Sequence, residues 1–176
     1  VAYRLFAHVR VRVSAWRNPW ADIDNTGYQV TQSLFAIGTG GWFGMGVGRG
    51  LPTSIPVVES DFVFAAISEE LGGIFCICLL LIYVSCFLMC INIAMQMHYR
   101  FYKLTALGLS IIFMFQVFLS IGGVVKLIPS TGVTLPLLSS GGSSILSTLI
   151  LFSIIQGLYV LNQTEVKRLS KVSLEE

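Results

Sequence analysis

The sequence predicts an all-α integral membrane protein, with three transmembrane helices and a large extracytoplasmic loop that contains short interfacial helices. Of its 176 residues, 55% are hydrophobic and only 11% are charged, and the mean hydropathy is +0.79. Soluble domains carry charge on about a quarter of their residues. The charges here crowd into short stretches, and the long segments between them are apolar. A lipid bilayer is therefore the predicted solvent for most of the chain.

Three apolar segments come close to the roughly 20 residues that a helix needs to cross a hydrocarbon core of about 30 Å. They cover about 71–94, 104–125 and 145–161. The connection 126–144, between the second and third segments, is rich in Pro, Gly and Ser. Since irregular backbone at membrane depth must be enclosed by protein or line a cavity, we predict that this connection is a re-entrant loop.

The predicted orientation follows from the positions of the cationic residues. Basic residues are concentrated at 96–103 and in the tail at 163–176, and the positive-inside rule makes both stretches cytoplasmic. The outer parts are then 1–65 and 126–144, and 66–162 is the membrane region. Five arginines in the first outer part oppose this assignment, although the rule weakens for loops of about 60 residues: Arg4, Arg10, Arg12, Arg17 and Arg49. We expect them to contact anionic groups, either lipid headgroups or a substrate phosphate.

The stretch 28–48 is apolar enough to suggest a fourth span, but six glycines should fragment any helix there: Gly38, Gly40, Gly41, Gly44, Gly46 and Gly48. We predict instead a pair of short interfacial or re-entrant helices. Asn25 or Thr26 is the expected N-cap of the first one, which should lie flat with its apolar side toward the membrane. That side consists of Val30, Leu34 and Ile37.

Charge and cysteine usage exclude two other classes of site. The net charge is +2, and the eleven Lys and Arg residues are too few and too scattered for a nucleic-acid surface. All four cysteines fall within the apolar run 76–90, where we expect them to act as small hydrophobic residues rather than as disulfides or metal ligands.

Four carboxylates lie where the first outer part meets the first span: Glu59, Asp61, Glu69 and Glu70. An ionised carboxylate near hydrocarbon costs on the order of a few kcal/mol unless it faces water, protein or a cation. This cost favours a functional role, and the alternative is a solvated helix N-terminus that is stabilised by the helix dipole.

Two glycine-rich segments are candidates for substrate contacts. In the loop at 126–144, hydroxyls and backbone amides can line a polar cavity, or the small residues can simply permit tight packing. The segment 44–50 lacks the strand, helix and lysine of a nucleotide-binding loop. Arg49 within it is nevertheless a candidate phosphate ligand, because a guanidinium donates two parallel hydrogen bonds to phosphate oxygens.

Eight short motifs in chain order resemble the FtsW/RodA/SpoVE family of shape, elongation, division and sporulation proteins. They are WRNPW at 16–20, GYQ at 27–29, QSL with AI at 32–37, GGWFG at 40–44, DFVFA at 61–65, EELG at 69–72, TGVTLP at 131–136 and SSGGSS at 139–144. Together they cover most of the chain, so the resemblance is specific.

The resemblance implies a ten-span fold, of which this chain supplies the outer loop between spans seven and eight and spans eight to ten. It implies polymerisation of lipid II into peptidoglycan glycan strands, by attack of an acceptor 4-hydroxyl on the anomeric carbon of a lipid-pyrophosphate donor, with inversion. It also implies the bacterial cytoplasmic membrane, and as partners a class B penicillin-binding transpeptidase and other divisome or elongasome membrane proteins. We expect this chain alone to be inactive.

The family's essential loop aspartate falls on Asp61, which the resemblance implies is catalytic, either as the general base or as a ligand of a divalent cation, Mg²⁺ or Mn²⁺. Glu59, Glu69 and Glu70 are candidate supporting carboxylates. The candidate substrate-binding residues are Arg49, Gln29, Gln32, Lys126, Ser139 and Ser143.

The sequence departs from the family pattern at Val57, at Glu59 with Ser60, and at Ser140, where the family usually has Glu, His-Thr and Tyr. Glu59 is therefore a candidate second cation ligand. Two other functions stay open: a transporter that moves the lipid-linked precursor across the bilayer, and a non-catalytic scaffold for the transpeptidase.

Overall fold

The computed structural model describes residues 7–23, 27–50 and 60–175. Within these residues all regular secondary structure is helical, which confirms the predicted all-α class. The elements are α1 (Ala7–Arg17), a 3-10 turn (Pro19–Asp22), α2 (Tyr28–Gly40), α3 (Val63–Met95), α4 (Arg100–Val124) and α5 (Gly142–Glu175). The expected N-caps Asn25 and Thr26 lie outside the described residues.

Three of these helices are long and apolar enough to cross a membrane: α3, α4 and the first 26 residues of α5. Many of their large apolar side chains point outward; for example, Leu81 is 62% exposed, Phe115 58% and Leu146 60%. Exposing apolar surface to water costs about 25 cal/mol per Å², so these side chains would be unfavourable in water. They suit helices surrounded by lipid or by further helices, so the chain has the architecture of a multi-pass membrane protein.

Helix α3 starts eight residues before the predicted span because it consists of two helices joined at a break. Gly72 has φ 85° and ψ 174°, a non-helical conformation that separates 63–71 from 73–95. The second part, about 34 Å long at 1.5 Å per residue, is sufficient to cross the hydrocarbon core. The first part carries Glu69 and Glu70, which is why hydropathy alone did not include it.

The glycine loop, residues 41–50, fills the break in α3. Breaking a helix leaves backbone donors and acceptors without intrahelical partners, and here the loop supplies them. Four backbone hydrogen bonds join the two segments: Gly73 N to Gly41 O (2.8 Å), Ile74 N to Trp42 O (3.2 Å), Met45 N to Glu69 O (2.9 Å) and Gly46 N to Glu70 O (3.0 Å). The irregular backbone at this boundary is therefore paired rather than exposed.

Helix α2 packs tightly against the first part of α3. Its buried residues are mostly small: Val30, Thr31, Ser33, Ala36 and Gly40. A Cβ atom at Gly40 would overlap the backbone of Ser68. The expectation that Gly38 and Gly40 interrupt a helix is wrong, because both lie within α2 and the close approach to α3 uses the small residue at 40.

Helix α5 continues to Glu175, beyond the predicted end of the third span at 161. After Gly157 the sequence has no Gly or Pro to stop it, and Gln163, Glu165 and Lys167 are good helix formers. Asn162 is 1% exposed and does not cap the helix. Its Oδ1 accepts a hydrogen bond from the His98 backbone N–H at 3.0 Å, which ties α5 to the connection between α3 and α4.

The core of the three-helix unit is aromatic. Phe113 on α4 is 1% exposed, and its ring centroid lies 5.1 Å from that of Phe152 on α5 and 6.1 Å from that of Tyr83 on α3. Each of the three long helices thus contributes one ring to this aromatic cluster. The loop between α4 and α5 packs against this cluster through Leu135 and contributes to the candidate functional site.

Candidate active site

Asp61 lies in a small pocket, called here the Asp61 pocket, between the start of α3, the end of α4 and the loop that follows α4. The described residues that line it are Asp61, Phe62, Leu119, Ser120, Gly123, Val124, Ser130, Thr131, Gly132 and Val133. Asp61 is half-buried, whereas the adjacent Phe62 is 3% exposed. Burial of the phenylalanine in the core fixes the backbone beside it, so the aspartate is held at the pocket.

The loop 125–141 descends between the three long helices. The Tyr83 hydroxyl donates to the Pro136 carbonyl at 2.6 Å, and Gln116 Nε2 donates to the Thr134 carbonyl at 3.2 Å. At 1.5 Å per residue, Tyr83 lies about 16 Å along its helix from the break at Gly72, and Gln116 lies about 12 Å from the end of α4. Side chains from the helices therefore satisfy the carbonyls of the loop at depth.

The turn from α4 into this loop is strained and tightly bonded. Lys126 has φ 62°, a left-handed conformation that is unfavourable for a residue with a Cβ atom. Two successive backbone N–H groups, those of Leu127 and Ile128, donate to the Gly122 carbonyl at 2.8 and 3.1 Å. These bonds reverse the chain and direct 130–133 back over the end of α4.

Helix α1 holds the loop from the opposite side. Trp16 Nε1 donates to the Lys126 carbonyl at 3.0 Å, and Arg12 donates through NH1 to the Ser130 carbonyl at 3.2 Å. Residues 12 and 16 are four apart, so they project from one face of the helix. This pair of hydrogen bonds, called here the α1 latch, fixes the loop at 126 and at 130, where the segment that lines the Asp61 pocket begins.

Arg12 and Asp61 both lie next to Gly132. The position that a Cβ atom would occupy at Gly132 lies 3.4 Å from Asp61 Oδ2 and 3.5 and 3.6 Å from the two terminal nitrogens of Arg12. Gly132 has φ 72°. A side chain at 132 would be strained and would enter the space between the carboxylate and the guanidinium. The structure therefore places the Arg12 guanidinium and the predicted catalytic aspartate next to the same glycine.

Two of the predicted supporting carboxylates lie elsewhere. Glu70 Oε1 accepts a hydrogen bond from the Gly48 backbone N–H at 3.1 Å, and Glu69 is 8% exposed beside Gly50. Neither glutamate lines the Asp61 pocket; both contact the glycine loop. Glu59 lies outside the described residues.

The described residues do not form a dedicated cation cage. Among them, no group of three His, Cys, Asp or Glu side chains is arranged to hold a metal ion, and Asp61 is the one described carboxylate that lines its pocket. Mg²⁺ is commonly held by one or two carboxylates together with substrate phosphates. Asp61 therefore fits a cation that arrives with a pyrophosphate better than one held by protein ligands alone.

Arg49, Gln29 and Gln32 are positioned apart from the pocket. Arg49 is exposed on the glycine loop, with its backbone N–H donating to the Gly46 carbonyl at 3.1 Å. Gln29 and Gln32 are half-buried on α2. None of the three lines the Asp61 pocket, and their role in binding stays a prediction.

The other three predicted binding residues belong to the descending loop or its end. The Lys126 carbonyl accepts the hydrogen bond from Trp16 Nε1. Ser139 is 2% exposed, and its hydroxyl donates to the Leu135 carbonyl at 3.0 Å. Ser143 is exposed in the first turn of α5. The neighbouring Ser144 hydroxyl accepts from Thr134 Oγ1 at 2.8 Å and so joins the loop to α5.

Sequence reasoning missed four side chains that build the site: Arg12, Trp16, Tyr83 and Gln116. Arg12 and Trp16 carried one usable signal, their spacing of four residues in a helical stretch. Tyr83 and Gln116 are polar groups within apolar spans, and such groups mark places where a bilayer-spanning helix faces protein. The partners of all four are backbone carbonyls, which leave no signature in a sequence.

Comparison with known proteins places these features in a family. The family model for FtsW, RodA and SpoVE, described as "Cell cycle protein", matches residues 1–164. The chain is 46% identical over 155 residues to "Peptidoglycan glycosyltransferase RodA" of Mycobacterium tuberculosis, covering 88% of this chain and 33% of that protein.

Two further relatives carry the other family names. "Probable peptidoglycan glycosyltransferase FtsW" of Aliivibrio salmonicida is 41% identical over 140 residues, 77% of this chain and 35% of that protein. "Stage V sporulation protein E" of Bacillus subtilis is 41% identical over 145 residues, 81% of this chain and 39% of that protein. The chain thus spans a little over a third of the length of these relatives. Since the family model covers most of the chain, the chain belongs to the FtsW/RodA/SpoVE family.

Proposed function

We propose that this chain is part of an enzyme that polymerises peptidoglycan glycan strands from lipid II by inverting glycosyl transfer, in cell division, elongation or sporulation. The names of the relatives support the reaction class. The observation that carries the proposal is the Asp61 pocket, which is lined by a half-buried carboxylate and by Gly132, next to which the Arg12 guanidinium also lies. A base beside a cation is the minimum equipment for deprotonating a hydroxyl near a departing anion.

In the proposed reaction, the acceptor 4-hydroxyl oxygen bonds to the anomeric carbon of the donor, and the bond from that carbon to the lipid pyrophosphate breaks. Asp61 takes the hydroxyl proton, and the configuration changes from α to β. The pyrophosphate leaves with its negative charge, which an arginine offsets. Arg12 and Arg49 are both proposed for this task, and the position of Arg12 at the pocket supports it more strongly.

A second role proposed for Asp61 is to hold Mg²⁺ or Mn²⁺, which would supply positive charge to the pyrophosphate. The two roles respond differently to metal removal. Chelation should abolish polymerisation if Asp61 acts through the cation and should leave it near its starting rate if Asp61 acts as the base alone.

The proposed setting is the bacterial cytoplasmic membrane, with the Asp61 pocket on the outer side. The apolar exterior of α3, α4 and α5 supports the membrane. The proposed partners are a class B penicillin-binding transpeptidase, which would cross-link the new strands, and other membrane proteins of the divisome or elongasome. Co-purification of the transpeptidase with the complete protein tests this assignment, and its absence under conditions that preserve activity would contradict it.

The decisive experiment supplies purified lipid II to a full-length protein that carries this segment, with and without Asp61→Asn. The substitution keeps the size of the side chain and removes its basicity, so glycan polymer should fall by about a hundredfold or more. Detergent extraction and thermal unfolding serve as controls for folding. A near-normal yield of glycan polymer from the Asp61→Asn variant would contradict the catalytic assignment. Translocation of lipid II without polymer formation would identify the protein as a transporter.

A further inference from the structure

One buried hydroxyl in the Asp61 pocket has no hydrogen-bond partner among the described residues. Ser120 on α4 is 4% exposed, and its Oγ atom is buried and unpaired. Ser110 on the same helix is 0% exposed, but its hydroxyl donates to the Ala106 carbonyl at 2.7 Å. More than nine in ten buried polar groups have a partner, so the unpaired serine calls for an explanation.

Ser120 is positioned beside the predicted catalytic group rather than in the apolar core. It lines the same pocket as Asp61, together with the loop 130–133 that passes over the end of α4. One turn further along α4, a Cβ atom at Gly123 would come within 3.3 Å of the Ser130 Cα atom. The absence of a side chain at 123 therefore lets the loop close over the pocket without filling it.

The hydrogen-bonding properties of Asp61 and Ser120 determine which chemical groups can bind in the pocket. The carboxylate of Asp61 only accepts hydrogen bonds, whereas the Ser120 hydroxyl both donates and accepts. An anion in direct contact with both oxygens would be repelled by the carboxylate. An ammonium group could donate to both oxygens but would leave the serine proton unused. A hydroxyl group, of an alcohol or of water, satisfies both, because it donates to the carboxylate and accepts from the serine.

We propose that Ser120 binds the acceptor sugar hydroxyl and orients it toward Asp61. This inference rests on the proposed function and adds a binding residue to it. The serine proton forms a hydrogen bond to the acceptor oxygen, and the proton of that oxygen passes to Asp61 as the glycosidic bond forms. Ser120 makes no covalent bond and keeps its own proton throughout.

The test compares Ser120→Ala with Ser110→Ala, a matched control on the same helix, in a full-length protein that carries this segment. Binding of fluorescent lipid II in neutral detergent is measured without turnover, and polymerisation gives apparent KM and kcat. Because the Ser120 hydroxyl has no hydrogen-bond partner among the residues that the structure describes, Ser120→Ala should keep the unfolding temperature. It should weaken binding and raise the apparent KM by roughly three- to tenfold, as expected for one lost hydrogen bond.

The control should show the opposite pattern, with lowered thermal stability and unchanged binding. Ser120→Cys, which keeps the size but is a weak donor, should fall between serine and alanine. Binding and KM within about 1.5-fold of the parent in Ser120→Ala would overturn the proposal. So would a loss of thermal stability in Ser120→Ala with no change in binding. If the parent binds lipid II but forms no polymer, the proposed function fails, and the binding measurements still decide the role of Ser120.

Discussion

The glycine loop and the Asp61 pocket are both places where irregular chain meets a long helix, and each lies beside a carboxylate. At the glycine loop, backbone groups on the two sides pair directly, and Glu70 binds the Gly48 backbone N–H. At the pocket, the Asp61 carboxylate and the Arg12 guanidinium both approach Gly132, and Ser120 is buried without a partner in the described part of the chain. At the glycine loop the polar groups are paired within the fold, whereas at the Asp61 pocket the Ser120 hydroxyl is unpaired in the described part of the chain and could be satisfied by a ligand.

The comparison separates carboxylates that the sequence presented as one cluster. Spacing along the chain placed Asp61, Glu69 and Glu70 at one boundary, and all three were candidates for chemistry. The glutamates lie on the first part of α3, where the glycine loop covers them. Asp61 precedes that helix and faces the other loop. Substitutions in the two regions should therefore affect different quantities, folding in one and turnover in the other.

Gly72→Ala should have the largest effect. The residue has φ 85°, and a Cβ atom there would overlap the backbone of Trp42, Phe43 and Gly44. Backbone cannot move aside as a side chain end can, so the substitution should destabilise the fold by about 3 kcal/mol or more. The measurement is the yield and thermal unfolding of detergent-extracted protein. Gly108→Ala is the control, because Gly108 lies within α4 and a Cβ atom there would meet no described residue outside its own helix within 4 Å. An equal loss of stability in both variants would contradict the prediction.

Arg12→Ala should lower polymerisation by about ten- to a hundredfold, because it removes the cation beside Asp61 and one bond of the α1 latch. Arg49→Ala should change it less than about threefold, since Arg49 is exposed on the glycine loop. Arg12→Lys should recover part of the rate. Rates and apparent affinity for lipid II are measured in neutral detergent, which removes contacts to anionic headgroups. A larger loss in Arg49→Ala would move the pyrophosphate site to the glycine loop.

Glu70→Ala should separate stability from turnover. Loss of the bond to the Gly48 N–H should cost about 1 kcal/mol of stability, because the glutamate is half-exposed and water replaces part of the interaction. The polymerisation rate should stay within about threefold of the parent. A thermal unfolding series and the lipid II assay give the two quantities. A hundredfold fall in rate with unchanged stability would show that the two regions do not differ in the proposed way.

Both regions should lie on the same outer side of the membrane, and labelling should report this without affecting activity. In a background that lacks the four native cysteines, Ser54→Cys should react with an impermeant reagent from outside, and Ser173→Cys should react only after permeabilisation. Labelling of 173 but not 54 in intact cells would reverse the topology.

The membrane-spanning helices could be predicted from the sequence, whereas the features that depend on backbone hydrogen bonds could not. Spans appear in a sequence because each is a long apolar run, but the break at Gly72 depends on pairing with a loop about 30 residues away. Asp61 was identified through its motif, since a carboxylate at a membrane boundary is costly. Arg12 was only one of five arginines expected to contact an anionic group, because its position next to Gly132 depends on the fold of a loop whose Ser130, its hydrogen-bond partner, is 118 residues away in the chain.

The hydrogen bond between Tyr83 and Pro136 bears on how this protein can change over evolutionary time. The carbonyls of 134 and 136 are each matched to one side chain on a neighbouring helix, and both ends of the loop are held. Inserting or deleting a single residue would shift every carbonyl past its donor and leave polar groups unpaired at depth, where each costs several kcal/mol. The length of the segment from 126 to 141 should consequently be fixed among functional variants, although loops usually accommodate length changes easily.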